Sequence, residues 1–220
     1  MSAPAPRRAA DDAAPAEPGR AAAAPVAGRG PWHLRDLVLL AVLGTVFGFL
    51  YYALVAGWSG LQVLMGPLGD LAQNVLWGGW MVVAPLAIYI VRRPGAGVLA
   101  EVLAAFVEFA VLGSPFGPAL LVTALVQGAG AEAVFAATRY RRYSWPVFVA
   151  SGAVAGLAIF AYQAVVQGWL GQDILLLRFV LHMASCVLLT GVLARLLGDA
   201  LLRTGVLDDY AIGRAARGRR

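Results

Sequence analysis

The sequence predicts an all-α, polytopic membrane protein with six transmembrane helices and both termini in the cytoplasm. Of its 220 residues, 60% are hydrophobic and only 13% are charged, whereas a soluble domain usually carries about 25% charged residues. Six apolar segments also reach the length of about 20 residues that a helix needs to cross a bilayer. Of the connections between these segments, only alternate ones contain arginine. The apolar surface therefore requires lipid, and the arginine pattern orients the chain in it.

The six predicted spans are separated by short connections. They cover residues 37–56, 71–91, 96–112, 118–138, 146–167 and 174–197. The connections at 92–95, 113–117 and 168–173 contain glycine or proline, which favour turns. The stretch 57–70 is apolar but is interrupted by several glycines and by Pro67. It is therefore predicted to be a lid or a short interfacial segment rather than a seventh span.

The orientation follows from the arginines, which account for all 17 basic residues. Arginines precede the first span, follow the sixth, and occur in the connections after spans two and four, while 57–70, 113–117 and 168–173 contain none. Because short cytoplasmic loops retain arginine, this alternation places both termini in the cytoplasm. The richness in Ala, Gly and Arg is typical of GC-rich bacterial genes. We therefore expect a multi-pass protein of a bacterial cytoplasmic membrane.

Three regions are predicted along the chain. Residues 1–31 are rich in Ala, Pro, Gly and Arg and lack apolar periodicity, which indicates a disordered cytoplasmic tail. Residues 32–205 form the six-helix membrane domain. Residues 206–220 are predicted to be a basic cytoplasmic tail.

Composition also excludes several kinds of chemistry. The sequence contains no lysine, so it cannot form a Walker A loop, and any ATP hydrolysis would have to take place in partner chains. The single cysteine, Cys186, cannot form an intramolecular disulfide. No CxxC motif or His/Cys cluster is present, so a structural zinc site is not predicted. No other metal and no cofactor is expected.

Polar side chains inside the predicted spans indicate a binding site. A charged group at the bilayer centre costs roughly 2.5–3.5 kcal/mol, so each one needs a partner or a role. At about 1.5 Å per residue, five side chains from four spans reach a common depth of roughly 16–22 Å from the cytoplasmic end. Others lie about one turn further out. The predicted substrate-binding residues are Asn74, Trp77, Trp80, Glu108, Gln127, Tyr162 and His182.

Structural readings compete with some of these assignments. Glu108 is expected either to contact a ligand or to pair with Arg178 or His182. Glu101 and Glu132 lie deeper and are expected to serve either as interhelical hydrogen-bonding groups or in coupling. Arg178 is expected to be a paired structural charge. Three further tryptophans are predicted to be interfacial anchors, namely Trp32, Trp145 and Trp169.

Two pairs of glycines have the spacing of close helix contacts. Gly44 and Gly48 in span one, and Gly152 and Gly156 in span five, are each four residues apart. Small residues at this spacing let helix backbones approach closely in lipid. The first pair is therefore expected either to dock another membrane subunit or to pack the bundle of this chain. Of the two, we predict that Gly44 and Gly48 dock another membrane subunit.

The region from Glu101 to Glu132 carries a resemblance to a known family. It contains two glutamates seven residues apart, then Leu112-Gly113-Ser114-Pro115-Phe116-Gly117, then Gln127-Gly128-x-Gly130-x-Glu132. Together with Trp77-Gly78-Gly79-Trp80 and Arg35-Asp36, this pattern resembles the YkoE family. The resemblance implies a substrate-binding S component of an energy-coupling factor transporter, linked to thiamine or its hydroxymethylpyrimidine precursor. It also implies a membrane coupling subunit and cytoplasmic ATPases as partners.

The residue chemistry agrees with that resemblance. Thiamine carries a cationic thiazolium, which tryptophan faces can bind, and an aminopyrimidine. Glu108 can accept a hydrogen bond from the pyrimidine amine, and Gln127 or Asn74 can satisfy ring nitrogens. The alternatives are an S component for another small vitamin, an intramembrane enzyme that uses Glu101, Glu108 or Glu132, and a purely structural subunit.

Overall fold

The described part of the chain is entirely helices and turns. The structure is a computed structural model that describes residues 32–218, and this range contains no strand. The predicted disordered tail at 1–31 and the last two residues of the predicted basic tail lie outside it. The α-helices are α1 (Leu34–Met65), α2 (Ala72–Leu76), α3 (Val83–Val91), α4 (Ala96–Phe106), α5 (Ala119–Ala137), α6 (Trp145–Val166), α7 (Leu175–Ser185), α8 (Ala194–Arg203) and α9 (Ala211–Arg217).

Four helical stretches in residues 32–218 are long and apolar enough to cross a membrane. They are Leu34–Val91, Ala119–Ala137, Trp145–Val166 and Leu175–Arg203. The first stretch has 58 residues and contains both of the first two predicted spans. The third predicted span corresponds to α4 and the π-helical segment Val107–Val111 that continues it. The all-α class is confirmed, and its apolar helices are those of a membrane protein.

The second predicted span is broken by a 3₁₀ segment, Trp77–Met81. Gly78 approaches the end of α7 so closely that a Cβ there would lie 2.6 Å from the carbonyl carbon of Ser185. Two hydroxyl groups satisfy the polar atoms of Gly78. Its N–H donates to Ser185 Oγ at 3.0 Å, and Thr190 Oγ1 donates to its carbonyl oxygen at 2.8 Å. The break is therefore supported by hydrogen bonds inside the bundle.

Helix α3 is the centre of the bundle. All nine of its residues are buried, as expected for a helix that is apolar on every side. It packs against α1, α4, α5, α8 and α9. Around Tyr89 of this helix, the rings of Phe148 and Tyr143 lie 5.1 and 5.9 Å away between centroids. Arg195 from α8 lies 4.5 Å above the Tyr89 ring and pairs with Asp199.

Two predicted boundaries are corrected by the structure. Helix α1 continues to Met65, so most of the stretch at 57–70, predicted to be a lid or an interfacial segment, is an extension of the first helix. The predicted tail after residue 205 is also part of the folded domain, because Leu207 and Ile212 are buried in the main hydrophobic core. The apolar residues at these two positions hold α9 against α3.

The predicted partner-docking face at Gly44 and Gly48 packs against this chain's own α4. A Cβ on Gly44 would lie 2.6 Å from Leu103 Cβ, and one on Gly48 would lie 2.8 Å from the carbonyl oxygen of Ala104. Both glycines are buried in the interface between α1 and α4. Partner docking through this face is therefore wrong, and the glycines serve the bundle. Gly152 and Gly156 likewise face Cys186 and Gly191 of the stretch Leu175–Arg203.

Glu132 binds the start of α4. Its carboxylate accepts hydrogen bonds from the N–H groups of Gly95 and Val98, the latter at 3.1 Å, and from the hydroxyl of Tyr140 at 2.8 Å. The first N–H groups of a helix have no partner within the helix, and a carboxylate there also interacts favourably with the helix dipole. Burial and the hydrogen bond to Glu132 raise the pKa of Tyr140, so that its hydroxyl remains a donor well above neutral pH. These contacts give Glu132 a structural place in the fold.

We expect Gly44→Leu and Gly48→Leu to lower the thermal stability of the detergent-purified protein, because the new side chains overlap α4. Overpacking of this kind typically costs about 1–3 kcal/mol. Gly57→Leu and Gly60→Leu are matched controls on the same helix, since a Cβ at either position meets nothing within 4 Å. Thermal unfolding of the four variants checks the prediction. Equal effects at both pairs of positions would show that α1 does not pack on α4 as described.

We expect Glu132→Ala to lower the free energy of unfolding by about 0.5–2 kcal/mol, because it removes the acceptor for two N–H groups at the start of α4. Glu132→Gln keeps one acceptor oxygen and should lose less. Asp173→Ala, which removes an exposed acid from a loop, is the control for loss of charge. Unfolding in a detergent titration measures all three, and a Glu132→Ala protein as stable as Asp173→Ala would contradict the capping role.

Candidate functional site

A cavity of about 150 Å³ lies between α1, the Trp77–Met81 segment, α4, α5 and α6. It is found towards the end of the bundle that carries the 112–118 connection, from which Phe116 contributes to its wall. Its lining combines aromatic rings with carboxyl and amide side chains. The cavity is thus built at the point where two of the surrounding helices depart from regular α geometry.

Trp77 and Trp80 form the aromatic wall. They are three residues apart in a 3₁₀ segment, and side chains at this spacing eclipse each other in a 3₁₀ helix. Both rings therefore face the cavity, with centroids 6.4 Å apart and planes at 60°. Trp80 is fixed by its Nε1–H, which donates to the carbonyl oxygen of Tyr51 at 3.1 Å. The wall presents π faces to whatever enters.

Glu101 and Glu108 form the acidic wall. They are seven residues apart, on one face of α4 and the π segment Val107–Val111, and only 1% and 2% of each residue is exposed. Ser114 Oγ donates to Glu108 Oε1 at 3.1 Å. Tyr51 links Glu101 to the centre of the bundle, since its hydroxyl lies 3.5 Å from Glu101 Oε2 and accepts from the N–H of Val83 at 3.2 Å. These bonds hold both carboxyl groups at the cavity.

Amide and hydroxyl groups complete the lining. Gln127 comes from α5, and Tyr162 and Gln163 come from α6. Gln163 Oε1 has no hydrogen-bond partner among residues 32–218, so it is one acceptor that a ligand or water can satisfy. None of the lining side chains, all of which belong to the described residues, is basic. The cavity offers acceptors and π faces, a combination that favours cations and amines.

Five of the seven predicted substrate-binding residues line this cavity. They are Trp77, Trp80, Glu108, Gln127 and Tyr162. Asn74 and His182 do not. Asn74 is fully buried on α2, which packs against α7, and neither atom of its amide has a partner among the described residues. His182 lies behind Trp77, so its predicted place in the lining is corrected.

The residues predicted to have structural or coupling roles fall into different places. Glu101 lines the cavity. Arg178 is nearly fully buried and pairs with Asp70 and Gln172, as a structural charge would. Its guanidinium also lies 4.5 Å from the ring of Trp169. Trp169 is only 5% exposed, so it is a core residue rather than the predicted interfacial anchor.

Sequence reasoning missed Tyr51 and Phe116. Tyr51 follows Gly44 and Gly48 by seven and three residues, so it shares the helix face that those glycines pack onto α4. This helical spacing is the feature of the sequence from which Tyr51 could have been predicted. Phe116 lies in a connection, where no helical periodicity applies, and it reaches the cavity while stacking on Trp58 at 5.8 Å. Only the three-dimensional arrangement places it there.

The size and chemistry of the cavity limit what it can bind. A cavity of about 150 Å³ suffices for one aromatic ring, as shown by an engineered cavity of that size that binds benzene. Among residues 32–218, no three His, Cys, Asp or Glu side chains converge to hold a metal ion. The arrangement is thus suited to hold a small aromatic amine or cation between tryptophan faces and carboxyl groups.

Comparisons with known proteins agree with this architecture. Residues 35–158 match the family model described as "ABC-type cobalt transport system, permease component". The chain is 37% identical over 191 residues to a Bacillus subtilis (strain 168) protein named "Putative HMP/thiamine permease protein YkoE", covering 86% of this chain and 94% of that protein. It also superposes with a TM-score of 0.79 on a structure described as "Crystal structure of an S-component of ECF transporter". That match has 36% identity and covers 86% of this chain and 95% of the other. The chain therefore belongs to the YkoE family of S components of energy-coupling factor transporters.

Proposed function

We propose that this chain is the substrate-capturing membrane component of an energy-coupling factor importer for thiamine or its hydroxymethylpyrimidine precursor. The observation that carries the proposal is one cavity lined by Trp77, Trp80, Glu101 and Glu108 and by no basic side chain. The name of the Bacillus subtilis relative supports the same pair of substrates. Both compounds contain an aminopyrimidine, and thiamine adds a cationic thiazolium.

The cavity matches the aminopyrimidine in size and in hydrogen bonding. A volume of about 150 Å³ holds a single ring. A carboxyl oxygen of Glu108 accepts from the exocyclic amine, and the amide of Gln127 satisfies a ring nitrogen. Tryptophan faces stack on the ring and attract the thiazolium of thiamine. Thiamine needs additional room for its second ring beyond the volume that one ring fills.

The alternatives fit the geometry less well. An intramembrane enzyme would need His182 beside the carboxyl groups, whereas His182 is separated from the cavity by Trp77. An S component for an anionic vitamin such as biotin would place a carboxylate among Glu101 and Glu108, and like charges at close range repel. The cavity therefore favours a cationic or amine-bearing vitamin.

We also propose six spans, with both termini in the cytoplasm of a bacterial cell. The stretch Leu34–Val91 has 58 residues and is long enough for two passes of about 20 residues each. The helices α4 and Val107–Val111 form another pass, and α5, α6 and Leu175–Arg203 supply three more. Arginines at 92–93, 139–142 and 203–217 then lie on one side, as the positive-inside rule requires.

The partners in this proposal are a membrane coupling subunit and cytoplasmic ATPases. The absence of lysine excludes a P-loop from the full sequence, so ATP-driven uptake takes its energy from other chains. Because Gly44 and Gly48 are buried against α4, the coupling subunit has to dock on another, lipid-facing surface of the bundle.

We expect the purified protein to bind thiamine and hydroxymethylpyrimidine. Glu108→Gln should weaken the binding of both ligands by about 10- to 100-fold, as expected for the loss of a hydrogen bond to a charged group. Both ligands lose the same bond, because both present the amine. Trp77→Ala should weaken the binding of thiamine more than that of hydroxymethylpyrimidine, since only thiamine carries the cation. Isothermal titration calorimetry measures each affinity.

Glu132→Gln is the matched control for the Glu108 variant, because Glu132 is a buried acid outside the cavity. It should leave both affinities unchanged. Biotin serves as the anionic ligand that should not bind. Tight binding of biotin, or a wild-type protein that binds neither proposed ligand, would refute the proposed substrate class.

We expect reporter tags at residues 15 and 215 to be cytoplasmic and a tag near Gly171 to be external, because only arginine-free connections are translocated readily. Accessibility of the tags to a membrane-impermeant reagent in intact cells measures this. An external tag at residue 215 would exclude an even number of spans with cytoplasmic ends.

A further inference from the structure

Trp77 also packs on two rings that do not line the cavity. The ring of His182 lies 5.3 Å away between centroids, at 41°, and the ring of Trp169 lies 6.2 Å away, at 88°. His182 is fully buried and does not line the cavity, and Trp77 itself is only 4% exposed. His182 therefore touches the ligand-binding tryptophan and is separated from the ligand by it.

His182 is itself held by the backbone of α6. Its Nε2 lies 3.1 Å from the carbonyl oxygen of Gly156, and because a carbonyl can only accept, Nε2 carries the proton. Gly156 lies in a close helix contact, where a Cβ would come within 2.7 Å of Cys186 Cβ. Phe160, one turn further along α6, packs on the other edge of the imidazole at 5.2 Å. The imidazole thus has a defined orientation on a rigid support.

The second ring behind Trp77 is also fixed. Arg178 lies 4.5 Å from the Trp169 ring and is bound to Asp70 and Gln172. Trp169 also packs on Phe160 at 5.5 Å. Trp77 is consequently packed on two rings that share Phe160 as a neighbour and are otherwise held by different groups. Of these, His182 is the closer, and its ring is also the more nearly parallel to Trp77.

We infer that His182 is a positioning residue, which holds the ring of Trp77 in the cavity wall through ring packing and does not contact the ligand. The inference rests on the proposed function where ligand affinity is concerned, but the orientation of Trp77 can be measured without ligand. Aromatic pairs and pre-organised walls each contribute modestly to binding. Loss of the imidazole should therefore weaken binding rather than abolish it.

The test compares His182→Ala and His182→Phe in the full-length, detergent-purified chain. Neighbouring indoles that are this close give an exciton-coupled circular dichroism signal, and Trp77→Phe identifies the part due to Trp77. We expect His182→Ala to lose most of that part without ligand and to bind thiamine about threefold to tenfold more weakly. His182→Phe, which keeps a flat ring against Trp77, should retain most of the Trp77 dichroism signal and most of the affinity for thiamine. If His182→Ala does not fold, His182→Leu, which lacks a flat ring, takes its place.

Phe148→Ala is the control for lost packing. Phe148 is fully buried in the other core cluster, around Tyr89, so the variant should lower the unfolding temperature and keep both the dichroism signal and the affinity. Two results would overturn the inference. One is a His182→Ala protein that is less stable but keeps the Trp77 signal and the affinity, and the other is weaker binding with an unchanged signal, which would indicate direct ligand contact. If the wild type binds neither thiamine nor hydroxymethylpyrimidine, the proposed function fails, while the dichroism comparison still decides the role of His182.

Discussion

The close approach of Gly78 to the C-terminal end of α7 is the constraint on which the aromatic wall of the cavity depends. A side chain larger than hydrogen at this position would overlap the backbone of Ser185. The contact is possible because Ser185 and Thr190 supply hydrogen bonds to the backbone of Gly78. In lipid no water could replace those bonds. The resulting 3₁₀ turn brings Trp77 and Trp80 onto one side, so a packing requirement among backbones decides the direction in which two large side chains point.

The acidic wall has a parallel origin in the contact between α1 and α4. Gly44 and Gly48 allow the two helices to touch, and Tyr51, on the same face of α1, then reaches Glu101. Tyr51 also accepts the N–H of Val83 and, through its carbonyl oxygen, receives the indole N–H of Trp80. One tyrosine therefore connects the acidic wall, the aromatic wall and the central helix. A shift of α1 relative to α4 would disturb both walls at once.

Sequence periodicity and charge predicted the helical membrane class and several of the polar and aromatic side chains that line the cavity, because they reflect the two strongest constraints in lipid. Polar groups such as Glu108 and Gln127 are costly among apolar neighbours, so their depth alone indicated a shared site. Depth does not determine which side of a helix faces the cavity where the helix changes from α to 3₁₀ or π geometry. His182 was predicted at the same level, but it packs on Trp77 and does not line the cavity. Gly44 and Gly48 show the same limit, since a small-residue pattern predicts a close helix contact without naming the helix.

The two walls also explain why the cavity would select charge as well as shape. Glu101 and Glu108 are removed from water, and no basic side chain in the lining offsets them. Arg178, the buried cation nearest in sequence to His182, is already bound to Asp70 and stacked on Trp169, so it is not available to neutralise the cavity. A ligand that brings its own positive charge or amine supplies the missing partner. An apolar or anionic molecule of the same size would leave the carboxyl groups with only the hydroxyls of Ser114 and Tyr51 as partners, and a buried charge without a counter-charge is costly. The selectivity proposed for this site would therefore follow from the chain's placement of its arginines elsewhere.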